Sequence, residues 1–129
     1  MKHKDELLMF PNPDRIGGWN ILQQLLEKKG NPIYGIRGDL NLRGSSVKSL
    51  GNLEHVGGDL NLRDSSIKSL GNLEYVEGSL KLYRTPIKSL GKLERVEGDL
   101  DLRLTPIAKT TTKEEIRSKI NIVGNIYLK

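Results

Sequence analysis

Apolar positions recur with a fixed period through the middle of the chain. Leu40, Leu42, Val47, Leu50, Leu53 and Val56 are answered twenty residues later by Leu60, Leu62, Ile67, Leu70, Leu73 and Val76. Leu80, Leu82, Ile87, Leu90, Leu93 and Val96 follow after another twenty. The polar positions repeat with them. GDLNLRGSSVKSLGNLEHVG from Gly38 and GDLNLRDSSIKSLGNLEYVE from Gly58 agree at 16 of 20 positions. GSLKLYRTPIKSLGKLERVE follows from Gly78, and GDLDLRLTPIAK from Gly98 departs from the pattern after Ile107. A fixed period near twenty predicts a solenoid, in which each unit stacks on its own copy.

The spacing inside a block predicts its shape. Leu60 and Leu62 are two apart with polar neighbours, the period of a strand. From Ile67 the spacing becomes three, through Leu70, Leu73 and Val76. That spacing suits tightly turning, 3₁₀-like backbone. Each block therefore reads as a short strand, a turn and a tight return. Strands are expected near 39–43, 59–63, 79–83 and 99–103, paired in parallel because every crossover turns the same way. One block cannot bury its apolar row alone, so its neighbours must cover it. The glycine heading each block is expected to supply backbone freedom at a sharp corner.

This pattern resembles the leucine-rich repeats, in their short, twenty-residue bacterial form, L-x-x-L-x-L-x-x-N-x-L-x-x-L. Leu73, Val76, Leu80, Leu82, Ile87 and Leu90 follow it, with one extra residue before the strand. Where that family carries a buried Asn, this chain has Ser45, Ser65, Thr85 and Thr105. A hydroxyl can satisfy the same turn groups. The resemblance covers somewhat over half of the chain. It implies an α/β, leucine-rich-repeat-like solenoid with a five-stranded parallel β-sheet and helical caps, from a bacterium or a phage.

The flanks read as those caps. Lys4 to Phe10 suits a short helix or strand, and Pro11 and Pro13 then enforce an extended turn. Trp19, Leu22, Leu25 and Leu26 share one helical face, flanked by Ile21. Gly30 stops that helix, with Lys28 and Lys29 in its last turn. A capping helix is expected over 18–29, with Trp19 as a core anchor rather than a ligand-binding ring. Ile33 and Ile36 form a half-repeat joining cap to stack. After Ile107 six extra residues precede Ile116. Thr112 and Glu115 have capping-box spacing, which predicts a helix over 112–119. Gly124 to Lys129 matches GDLNLR in form and gives a fifth strand, with Tyr127 and Lys129 outward. The organisation is one domain: a cap over 1–37, repeats over 38–107 and a second cap over 108–129.

Charge changes the functional reading less than its total suggests. The net charge is +5. Residues 38–107 hold ten basic and ten acidic side chains, so the surplus sits on the caps. A phosphate-binding groove should be basic along its length, and nucleic acid is not expected as the main partner. There is no Cys, hence no disulfide and no thiolate site. No long apolar run suggests a leader or membrane span, and the cytoplasm is the expected location.

Catalytic chemistry finds little support. His3 and His55 are the two histidines, and no metal-binding pair exists. His55 stands where later blocks have Tyr75 and Arg95, which suggests a variable surface site. Asp99 and Asp101 lie beside Arg103, as a solvated ion-pair cluster rather than an acid–base pair. Gly57-Gly58-Asp59 is a repeat corner, not a phosphate loop, because no helix follows. No cofactor or metal is expected, and the chain reads as not an enzyme.

Stacked strands place equivalent side chains in ladders about 4.8 Å apart. The outward ladder Arg43, Arg63, Tyr83, Arg103 is basic except at its aromatic member, and Lys48, Lys68, Lys88 and Glu54, Glu74, Glu94 form two more. Tyr83 should sit between Arg63 and Arg103 and offer them a cation–π surface. Repeat proteins use such faces for partners. The expected function is protein binding without catalysis, through Arg43, Arg63, Lys81, Tyr83, Asp101, Arg103 and Tyr127. Inhibition of a nucleic-acid-processing system, or nucleic-acid binding, through the basic caps, and a structural part in a larger or homo-oligomeric assembly, are the alternatives.

Overall fold

The computed structural model describes residues 7–129. It opens with β1 (Leu8–Phe10), a 3₁₀ turn at Pro13–Ile16 and α1 (Trp19–Lys28). Short strands of two kinds then alternate. β2 (Tyr34–Ile36), β4 (Leu53–Val56), β6 (Tyr75–Val76), β8 (Arg95–Val96) and β10 (Asn121–Ile122) join β1 in a six-stranded sheet. β3 (Leu40–Asn41), β5 (Leu60–Asn61), β7 (Leu80–Lys81), β9 (Leu100–Asp101) and β11 (Ile126–Tyr127) form a five-stranded one. All pairings are parallel. A second 3₁₀ turn, Ile107–Lys109, and α2 (Lys113–Lys119) occupy the last return. The fold is α/β, with two parallel sheets and no closed barrel. Among the described residues no helix is long and apolar enough to cross a membrane. Of the Lys4–Phe10 segment the described part includes a strand; its first residues and His3 lie outside the described residues.

The twenty-residue period is the register of both sheets. Leu40 pairs with Leu60, Leu60 with Leu80 and Leu80 with Leu100; Val56 pairs with Val76 and Val76 with Val96. The five-stranded sheet follows the sequence pattern, and the six-stranded one departs from it. Val76 does not close a 3₁₀-like return. Past Leu73 the backbone straightens and pairs with the next block, Glu74 N–H donating to Glu54 C=O at 2.9 Å and Glu77 N–H to Val56 C=O at 2.9 Å. A two-residue strand is too short to display alternation. Tight turning is confined to the bend, as in Ser65 N–H to Leu62 C=O and Leu73 N–H to Leu70 C=O, both 3.1 Å.

The core lies between the two sheets and under the returns. Leu60, Leu62, Ile67, Leu70, Leu73 and Val76 are all fully buried. The hydroxyls at the place of the family's Asn are turn brackets: Thr85 and Thr105 donate to Leu82 C=O at 2.8 Å and Leu102 C=O at 2.6 Å, while Ser45 and Ser65 accept from Val47 and Ile67 N–H. Ser69 likewise accepts from Gly71 N–H at 3.0 Å, where Gly71 has φ +57°. The glycine heading each inner block has a different cause from the one expected. A Cβ on Gly78 would lie 2.7 Å from the backbone carbon of Gly58 and also strike Asp59. The blocks touch backbone to backbone there, and no side chain fits. At the turn four residues later than the strand start, Asp64, Arg84 and Leu104 adopt φ +58°, +55° and +59°, which the sequence does not announce.

The ends are closed by different means. Leu22 and Leu26 of α1 are buried and Trp19 packs half-buried against the core. Leu25, expected on that face, is 38% exposed, because only one i, i+4 row of this helix meets the stack. Ile33 is half-buried, and Tyr34 takes its core place through an irregularity in register. The Tyr34 hydroxyl donates to Leu50 C=O at 2.8 Å, and burial pushes its pKa up to about 12. At the other end Thr112 caps α2, accepting from Glu115 N–H at 3.1 Å. Arg117 then reaches across the last block, its guanidinium donating to Ile122 C=O at 2.6 Å and Gly124 C=O at 2.9 Å. The same carbonyls one block earlier, Val96 and Gly98, accept from Val123 and Gly124 N–H. Arg117 thus supplies the two donors that a further block would have supplied.

Two substitutions test this account. Gly78→Ala should cost about 2–3 kcal/mol in urea melts, through overpacking between blocks. Arg117→Ala should cost about 1–3 kcal/mol by unsealing two carbonyls, and Arg117→Lys should restore little, because one ammonium cannot reproduce the fork.

Candidate partner-binding face

The outer face of the five-stranded sheet is built by alternation. With Leu60 and Leu62 turned into the core, Asn61 and Arg63 turn out, and the register repeats this on each strand. One outward column is Asn41, Asn61, Lys81, Asp101 and Tyr127; the next is Arg43, Arg63, Tyr83, Arg103 and Lys129.

Tyr83 organises the second column. The Arg63 guanidinium carbon lies 5.0 Å from its ring centroid and that of Arg103 lies 5.2 Å, while Arg84 approaches at 5.3 Å. Arg103 also lies 5.7 Å from the Tyr127 ring. Four of the expected site residues, Arg63, Tyr83, Arg103 and Tyr127, therefore form one continuous stack of cations and rings. Such contacts are worth about 0.5–1 kcal/mol each at exposed sites. Arg63 Nε, beneath which the ring lies, is shut off from water and makes no hydrogen bond. Arg43 stands exposed at the column's start, one strand from Arg63, and Lys81 is half-exposed beside Tyr83.

Asp101 has an internal partner. It is 9% exposed, and its two carboxylate oxygens accept from Arg103 Nε at 2.9 Å and Nη2 at 2.7 Å. Its Oδ1 also accepts Arg103 N–H at 3.1 Å. Burial acts to raise the Asp101 pKa, but these bonds and the Arg103 charge outweigh it and hold the carboxyl below its usual range. The Arg103 guanidinium is pushed up in turn, first by its hydrogen bond to Asp101. Asp99 is not in this cluster. Asp39, Asp59 and Asp99 each accept the backbone N–H of the next strand's corner, Asp59, Ser79 and Asn125, at 2.7, 2.7 and 2.8 Å.

The outer face of the six-stranded sheet went unread in the sequence because its strands did. His55 is not a surface residue: it is 3% exposed, edge-on to Tyr75 at 4.8 Å, with Nε2 2.6 Å from Glu77 Oε2. The Tyr75 hydroxyl donates to Glu97, which Arg95 approaches at 3.7 Å. Residues 55, 75 and 95, read in the sequence as one variable surface position, do form one column a residue before the valines, and what the spacing did not show is its network with Glu77 and Glu97. Beside it the Glu54, Glu74, Glu94 ladder stacks like charges. Burial first, then Glu54 and Glu94, raise the Glu74 pKa, against Lys92. Among the described residues no group of three metal-ligating side chains occurs.

Comparison with protein-family models, with curated proteins and with solved structures gave no match.

The ion pair yields a pH prediction. A depressed carboxyl stabilises the fold above its unfolded pKa of about 3.9, and that contribution is lost as pH falls through the folded value. Asp101→Asn should therefore lower the melting midpoint at pH 7, and the gap to the wild type should close progressively below pH 4. A gap of constant size down to pH 2 would assign the loss to packing.

Proposed function

We propose that the chain is a leucine-rich-repeat-like solenoid that binds a protein partner through the outer face of its five-stranded sheet, without catalysis. The register at twenty-residue intervals and the buried positions Leu73, Val76, Leu80, Leu82, Ile87 and Leu90 support the repeat assignment. The observation that carries the function is the ring-and-cation stack of Arg63, Tyr83, Arg103 and Tyr127. Arginine and tyrosine are the side chains that most often dominate binding energy, and here they are held in place before a partner arrives. Arg43, Lys81 and Asp101 complete the proposed footprint. By the same resemblance, the setting is the cytoplasm of a bacterium or of a phage-infected cell.

A second reading has its own observation. Lys88, Lys92 and Lys119 rim a cleft of about 490 Å³ between the last regular return and α2, floored by Leu93 and Ile120. It favours contact with nucleic acid, or with an enzyme acting on it, where the last regular repeat meets the C-terminal cap, with Glu115 the one acid lining the cleft.

Affinity capture with the tagged chain from source-cell lysate supplies the partner. Tyr83→Ala should then weaken its binding by about 2 kcal/mol or more, roughly thirtyfold, while the fold persists and melts slightly earlier for loss of the ring contacts. Wild-type affinity in both Tyr83→Ala and Arg63→Ala would move the footprint off this face. Loss of affinity in Lys88→Ala and Lys119→Ala instead would support the second reading.

A further inference from the structure

The acids of the sheet face are occupied and several of its bases are not. Asp39, Asp59 and Asp99 each hold the next strand's backbone N–H. Asp101 holds Arg103 with both oxygens, and Asp64 lies 3.6 Å from Arg84. Among the described residues no carboxylate lies within ion-pair distance of Arg43, Arg63 or Lys81. Arg43 and Arg63 follow paired residues on neighbouring strands, so two like-charged side chains leave backbones about 4.8 Å apart, and the Arg63 charge is felt at Asp101 only from beyond ion-pair distance. Lys81 lies on the next strand. Arg63 is already laid on the Tyr83 ring, so little side-chain freedom is lost when it takes a ligand.

We infer that this face takes an acidic polypeptide segment whose Asp or Glu carboxylates meet Arg43, Arg63 and Lys81 beside Tyr83. The inference rests on the sheet-face reading above. A polyphosphate fits less well. Asp39, Asp59 and Asp99 line the far end of the same strands, four residues or about 13 Å from the arginine column. A helical or extended acidic segment about 10 Å wide can follow the cations without crossing that row. A nucleic-acid duplex, twice as wide, would lie over both.

The test uses the ¹⁵N-labelled 129-residue chain and three probes at low and moderate salt: fifteen-residue poly-L-glutamate, a fifteen-nucleotide oligothymidine and poly-L-lysine. Poly-L-glutamate should shift the amides of Arg43, Arg63, Lys81 and Tyr83. Arg43→Ala with Arg63→Ala should weaken it about tenfold or more, while Lys109→Ala with Lys113→Ala leaves it unchanged. Arg43 is exposed, so Arg43→Ala alone serves if the double variant melts early, and should still weaken binding several-fold. Poly-L-glutamate that binds with unchanged affinity in these variants, or shifts Lys88, Lys92 and Lys119 instead, overturns both this inference and the sheet-face reading. Tighter oligothymidine binding at the sheet residues overturns the acidic-polypeptide assignment and keeps the face as the binding surface. Poly-L-lysine binding there, or no poly-L-glutamate binding at millimolar concentration, overturns the acidic class alone and leaves the face to be decided with Tyr83→Ala.

Discussion

Everything in this molecule depends on how closely one block's backbone can lie on the next. The hydrogen bonds that connect residues twenty apart are the secondary structure, since no strand of the repeats has a partner within its own block. At the block heads the contact is so close that Gly58, Gly78 and Gly98 admit no Cβ. A stack built this way has little stability in any single unit and gains it by repetition, because each added block buries the apolar row of the last.

Copying a block also copies its charges, and the two sheets handle this differently. On the six-stranded side, Glu54, Glu74 and Glu94 stand in line, and the Glu74 pKa is raised first by burial and then by these two neighbours. Nearby, His55, Tyr75 and Arg95 break the repeat and turn the glutamates at 77 and 97 into partners. On the five-stranded side the run of arginines is interrupted by Tyr83, whose ring takes a guanidinium from each neighbouring strand. At positions 55, 75 and 95 and at 63, 83 and 103, differences between otherwise similar blocks thus break up columns that would otherwise repeat one group. One network closes on itself; the other leaves cations facing outward, and that difference directs the functional reading to the five-stranded sheet.

A stack also needs ends. α1 covers the first block with a single row of leucines, and Arg117 covers the last by imitating a strand's N–H groups. The second device uses one side chain on a helix of seven residues, so the interruption after Ile107 places a donor over the carbonyls as well as adding apolar cover. Most of the proposed footprint lies on the regular part of the stack, and Tyr127 extends it onto the final strand.

The sequence by itself determined the period, the five-stranded sheet, both helices and the six-residue insertion, because each is written in the spacing of apolar residues and caps. It also placed Tyr83 between Arg63 and Arg103, since stacking in register follows from the period alone. Tertiary structure decided what spacing cannot carry. The six-stranded sheet rests on strands such as Tyr75–Val76, too short to alternate and defined by a neighbour twenty residues away. The burial of His55, the exchange of Ile33 for Tyr34 and the exposure of Leu25 depend on which row of side chains the adjoining block meets. The fate of Asp39, Asp59 and Asp99 could not be read as charge at all. Whether a carboxylate is free for a partner is settled by the backbone N–H of the next block, which only stacking brings within 2.8 Å.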